Sequence, residues 1–177
     1  VGSEMCIRDR SEALAKELNN LSTFRLAAFV LSFVIIAFLA NERALALLLI
    51  VVPLCVLGFG ALIKRFNQVA YQKRHTTFLK EINEEEVLRL ENELSGFPTG
   101  QTFISRDHPY VADLDVFGTH SLFQLINRTS TESGNASLAA WLSAPAPKEV
   151  ILERQEAIQE LMPKLDWRQD FQAAGMH

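Results

Sequence analysis

The stretch ALALLLIVVPLCVLGFGALI, residues 44–63, decides how this chain is read: it is twenty consecutive residues without a charge. As a helix rising about 1.5 Å per residue, it is as long as the roughly 30 Å hydrocarbon core of a bilayer is thick. Thirteen of its residues are Leu, Ile, Val or Phe. Each of these favours insertion by roughly 0.3–0.6 kcal/mol near the centre of a membrane helix, so the run favours lipid over water. Pro53 removes one backbone hydrogen bond, which a membrane helix tolerates as a kink. Gly58 and Gly60 read as membrane-helix glycines that ease close helix packing.

Working outward, LAAFVLSFVIIAFLA at residues 26–40 is a second apolar run, and residues 21–25 extend it to span length with Arg25 snorkelling to the interface. Only Asn41, Glu42 and Arg43 separate the two runs, which predicts a tight helical hairpin with spans of about 22–40 and 44–63. Lys16 and Arg25 precede the pair, and Lys64, Arg65, Lys73 and Arg74 follow it. The positive-inside rule then places both flanks in the cytoplasm and the short turn outside. A secretory signal peptide explains the first run less well, because a second span follows at once and no small-residue cleavage site stands between them. Two buried helices of a soluble bundle are disfavoured, since charge-free runs of this length are rare in small soluble domains.

The chain has 177 residues, about one domain's worth, and its formal net charge of −4 argues against a general electrostatic attraction to nucleic acid. Its two cysteines, Cys6 and Cys55, suggest neither a disulfide framework nor a metal cluster. Residues 1–10, VGSEMCIRDR, resemble translated adapter sequence and are set aside from fold reasoning as a scar. The final DWRQDFQAAGMH stops inside helical sequence, so the chain reads as an N-terminal fragment.

Residues 64–95 are polar but keep helical spacing, with Phe66, Val69, Ala70, Phe78, Ile82, Val87, Leu90 and Leu94 as an apolar stripe. KRFNQVAYQKR is a basic flank that also suits anionic lipid. NEEEVLRLENE reads as a solvated acidic helix face rather than a metal site. Gly96, Pro98 and Gly100 are expected to break that helix. No phosphate loop is formed there, because the G-x-x-x-x-G-K-[ST] pattern is absent.

Residues 96–118 read as loop or extended chain, and residues 119–177 as a helical module. His108, Asp113 and Asp115 match no metal-ligand spacing, and Asp115, His120 and Ser121 are too close in sequence to align as a hydrolase triad. A short helix is expected over residues 118–128, capped by Thr119 or Ser121. Thr129-Ser130-Thr131-Glu132 fits a capping box for the next helix. Gly134 in its first turn suggests close approach of a neighbouring backbone. Pro147 suits the first position of a third helix, Pro163 ends or kinks it, and Asp166 can cap a fourth. The expected fold class is therefore all-α, with no catalytic, cofactor-binding or metal-binding residue singled out.

The run DLDVFGTHSLFQLINRTSTESGNASLAAWLSAP followed by ILERQEAIQEL resembles the start of the core, or lever, domain of the MutS family of DNA mismatch-repair proteins. The resemblance is carried by Ser121, Leu122, Arg128, Thr129, Thr131, Gly134, Leu138, Trp141, Leu142, Pro145, Ile151, Arg154, Gln155, Ala157, Ile158 and Leu161. The preceding HPYVADLDVFG, behind two apolar spans, is similar to a bacterial membrane-anchored branch of that family. The resemblance implies that the matched residues set helix caps and packing in a lever that transmits motion between DNA-facing parts and an ATPase. The ATPase, with its ATP and Mg, and the mismatch-reading domain lie outside these residues. The first functional expectation is thus an anchor and lever start of a MutS-like ATPase in the bacterial inner membrane, with the lipid bilayer as partner. DNA and a second subunit would be reached through domains outside these residues. The second is a membrane-tethered helical scaffold that binds protein partners without nucleotide or DNA activity. A transport role is weakest, since neither span carries an interior ionisable residue.

Overall fold

The computed structural model describes residues 2–104 and 113–177, and the side chains from residue 9 onward. Among the described residues there are six α-helices, one short 3-10 turn and no strand, as the apolar spacing required. The chain divides into two compact units between Thr77 and Phe78.

The first unit is an antiparallel helical hairpin. Helix α1 runs from Gly2 to Asn41 and helix α2 from Leu45 to Leu90, without interruption at Pro53. The chain reverses over residues 42–44, where Arg43 takes a left-handed conformation (φ 54°) and the Ala44 amide donates to the Leu39 carbonyl at 3.1 Å. The turn falls where the sequence places its only charges between the two apolar runs. Three contacts fix the register: Phe29 against Phe59 with ring centroids 6.1 Å apart, Arg25 over the Phe66 ring at 4.7 Å, and Arg65 on Glu17 at 2.8 Å. Arg25 and Arg65, near the base of the hairpin, are thus held by an aromatic and a carboxylate partner on the opposite helix. Ser32 and Thr23 satisfy their hydroxyls on carbonyls four residues back, at 2.7 and 3.0 Å.

Both helices are long and apolar enough to cross a membrane, and none of the residues in their most apolar windows is buried. Phe33 and Leu49, for example, are 69% and 79% exposed. Helices of this kind inside a soluble bundle would be largely covered. Gly58 and Gly60 do not serve packing within the hairpin, contrary to expectation, since a Cβ at either meets nothing within 4 Å.

The second unit starts with the last turns of α2. That helix ends at Leu90, before the expected breakers, because Asn92 adopts the left-handed conformation (φ 60°) and the Glu93 amide closes on the Leu88 carbonyl at 2.9 Å. The apolar stripe is also narrower than its sequence suggested. Val69, Ile82 and Leu94 are buried, whereas Val87 and Leu90 are exposed, and Arg89 takes a buried place instead.

A 3-10 turn at Gln101–Phe103 precedes helices α3 (Leu122–Ile126), α4 (Glu132–Ser143), α5 (Lys148–Leu161) and α6 (Leu165–Gly175). The core is a cluster of Val116, Phe117, Phe123 and Ala139, with Phe103, Leu138 and Leu142 packed on it. The rings of Phe103, Phe117 and Phe123 lie 5.5–6.0 Å apart in tilted pairs, a favoured aromatic geometry. Gly100 (φ 66°) passes so close to this cluster that a Cβ would lie 2.9 Å from both Phe117 and Phe123. Helix α6 packs through fully buried Ala173, and Gln169 donates to the Asn83 side chain at 3.1 Å. Helix α5 has no buried residue, and Ile158, Met162 and Phe171 are each more than 60% exposed on α5, α6 and the turn between them.

Several helix ends differ from expectation. Helix α3 is only five residues long, because Gly118 and His120 take positive φ and only Ser121 is placed to cap it. Pro147 is the N-cap of α5 rather than its first helical residue. Asp166 lies inside the first turn of α6, whose N-cap is Lys164.

Candidate functional site

Ser121, Arg128 and Thr129 of the motif lie at a polar junction where the end of α2, the following loop and the α3–α4 turn meet. Gln124 on α3 is 1% exposed, and burial of an amide this deep requires that its hydrogen bonds be made. Its Nε2 donates to the Leu94 and Phe97 carbonyls at 3.0 and 2.7 Å, and its Oε1 accepts from the His120 amide at 2.7 Å. One side chain thereby ties the loop after α2 to the start of α3. The Ser121 hydroxyl is already engaged as the α3 cap, accepting from the Gln124 amide at 3.3 Å.

Arg89 is the second tie. Its guanidinium lies 4.0 Å from the Phe97 ring centroid, donates to the Asn127 carbonyl at 3.1 Å, and pairs with Glu85 and Glu86 at 3.3 and 3.0 Å. A charge buried to this extent is tolerable only with such partners. Its Nε has none. Glu86 also receives Arg128, with Nε on Oε1 at 2.6 Å and Nη2 on Oε2 at 2.9 Å. Arg128 further donates to the Leu125 carbonyl. The acidic run is therefore not simply a solvated face: Glu86 is a carboxylate shared by two arginines.

The turn between α3 and α4 is built by Asn127. Its Oδ1 accepts from the Thr129 amide and hydroxyl at 2.9 and 2.8 Å, and its Nδ2 donates to Asn135 at 2.8 Å. This occupies Thr129, so the cap of α4 is Thr131, which accepts from the Gly134 amide at 3.1 Å. The expected box on Thr129 and Glu132 is not formed. Gly134 is required by side chains rather than by a neighbouring backbone: a Cβ there would lie 3.0 Å from Thr131 Oγ1 and 3.1 Å from Thr129 Cβ. Farther along the motif, Arg154 of α5 stacks over the Trp141 ring of α4 at 4.0 Å, which fixes the α4–α5 corner.

Of the residues weighed for chemistry, Asp115 and His120 adopt positive φ on either side of the buried Val116–Phe117 pair. His108 lies outside the described residues. Among the described residues, no group of three His, Cys, Asp or Glu is arranged to hold a metal. What the junction provides is positional: caps, ion pairs and buried amides that set the angles at which α2, α3 and α4 meet.

Sequence reasoning placed Arg128, Thr131, Gly134 and Trp141 in this structural role but missed Arg89, Gln124 and Glu86. The available signal was Arg89 standing seven residues after Ile82 with Glu85 and Glu86 one turn behind it.

Compared with known proteins, residues 105–175 match the family model of MutS domain III. Neither the curated proteins nor the solved structures give a match. The N-caps of α3 to α6 and the core residues Val116, Phe117, Phe123 and Ala139 fall within that match, whereas Glu86, Arg89, Leu94 and Phe97 of the junction precede it. The match relates residues 105–175 to domain III of the MutS family.

Proposed function

We propose that this chain tethers the beginning of a MutS-like lever to the bacterial cytoplasmic membrane, and that the protein it serves is an ATPase of the mismatch-repair type. In this reading, α1 and the apolar part of α2 cross the bilayer as a hairpin. Residues 42–44 lie outside, and the basic flanks and the helical module lie in the cytoplasm. The observation that carries it is the occurrence in one chain of two apolar helices with uncovered windows and a MutS domain III match. An uncovered apolar helix pair is unfavourable in water at roughly 25 cal/mol per Å², and lipid removes that cost.

The junction suits a lever because motion passes along helices only if their joints are stiff. Gln124, Arg89 and the Arg128–Glu86 pair each bridge segments 27 to 42 residues apart in sequence. Mg-ATP and DNA would be bound by other domains, with this chain holding the helices that respond to them.

The test is to extend the reading frame past His177 and assay the membrane-bound product. A G-x-x-x-x-G-K-[ST] motif with ATP hydrolysis supports the lever reading. A product without that motif, inactive in ATP hydrolysis and in gel shift, supports the scaffold reading instead.

A further inference from the structure

Along one face of α2, a shallow and open crevice of about 790 Å³ runs from the apolar run into the polar flank. Gly60 and Ile63 line one end, and Lys64, Asn67, Gln68 and Tyr71 line the other. Their spacing of three and one residues places them on one side of the helix. We infer that this crevice binds an anionic phospholipid with a hydroxylated headgroup, an inference that rests on the membrane reading above.

The polarity of the crevice follows that of a phospholipid. Lys64 is the first charge after twenty uncharged residues, which puts it at the level of the lipid phosphates if α2 spans the bilayer. Below it, a Cβ at Gly60 meets nothing within 4 Å, so there is room for an acyl chain against the helix. Above it, the side-chain amides of Asn67, Gln68 and Gln72 offer neutral donors and acceptors, which match hydroxyl groups. No carboxylate lines the crevice among the described residues, so nothing there pairs with a choline or ethanolamine ammonium.

The surroundings have the same sign. Arg25 and Arg65 stand at the same level, and Lys73 and Arg74 follow on α2. Arg65 is held by Glu17 and Arg25 by the Phe66 ring, whereas Lys64 is an exposed charge within the crevice itself. A basic collar on the cytoplasmic side attracts anionic lipid generally. The crevice adds a place where one such lipid is selected.

The test is native mass spectrometry of the full chain released from detergent micelles containing phosphatidylglycerol and phosphatidylcholine with identical acyl chains. Phosphatidylglycerol should be retained several-fold over phosphatidylcholine. Lys64→Gln should reduce that preference about five-fold, equivalent to ~1 kcal/mol. Lys64→Arg should keep it, and Arg65→Gln should change it less than two-fold. Equal retention of both lipids, or an Arg65→Gln loss as large as that of Lys64→Gln, overturns the inference. Carbonate-resistant insertion into phosphatidylcholine vesicles is measured in parallel. A chain that inserts but shows no lipid preference rejects the crevice alone, and one that never inserts rejects the membrane reading as well.

Discussion

Arg128 grips Glu86 with both arms of its guanidinium, Nε on Oε1 at 2.6 Å and Nη2 on Oε2 at 2.9 Å, across 42 residues of sequence. Both side chains are more than one-third exposed, so solvent screens the pair and its worth is modest. Arg128→Lys keeps the charge but loses the fork, and should destabilise the chain by about 0.5–1 kcal/mol in urea unfolding followed by tryptophan fluorescence. A double-mutant cycle with Glu86→Gln should give a coupling of similar size. A coupling of zero would mean the pair does not hold the joint.

Gln124 should matter more than this visible ion pair. Gln124→Leu keeps the volume but strands the Leu94 and Phe97 carbonyls and the His120 amide. Leaving buried polar groups unpaired should cost about 2–3 kcal/mol. Amide exchange at residues 120–127 should accelerate in the variant, and a change below about 0.5 kcal/mol would contradict the burial argument.

The contrast between Arg128 and Gln124 shows what could be read from the chain alone. Helices were legible because apolar spacing and caps are local: Ser121 is a capping residue type and does cap α3. The hairpin was legible because two uncharged runs with a charged turn between them leave few arrangements. Gln124 was not, because an amide on a short helix looks like surface until the carbonyls of Leu94 and Phe97 are brought to it from about 30 residues away. Arg89 was hidden for the same reason, since charge argues for exposure unless distant partners are known. The Thr129 cap was misplaced because Asn127 competes for its hydroxyl, a choice that spacing does not reveal.

Gly100→Ala should be costly for two independent reasons. The backbone there is left-handed, and the new Cβ would press on the Phe117 and Phe123 rings at 2.9 Å. Strain and overpacking together should cost about 2–4 kcal/mol. Gly96→Ala is the control, since a Cβ there meets nothing within 4 Å, and should stay within about 0.5 kcal/mol of the parent. Equal thermal shifts for the two variants would refute the tight approach at Gly100.

The Glu160 carboxyl is held below its usual range by the hydrogen bond and charge of Lys164, whose Nζ lies 2.7 Å from Oε1. Because the folded value is the lower one, the stabilising contribution is present above the unfolded carboxylate value and is lost as pH falls through the folded one. Lys164→Met should raise the Glu160 titration seen by carboxyl NMR and remove this acid-side dependence. An unchanged titration would show that the pair does not form in solution.

Membrane insertion tests the central claim most directly. The chain should stay with the membrane through alkaline carbonate extraction, and a cysteine placed by Arg43→Cys in a Cys6→Ser, Cys55→Ser background should react with a membrane-impermeant maleimide only from the side opposite Lys64 and Arg65. A chain that stays monodisperse in water without detergent, or an Arg43→Cys thiol that reacts from the cytoplasmic side, would contradict it.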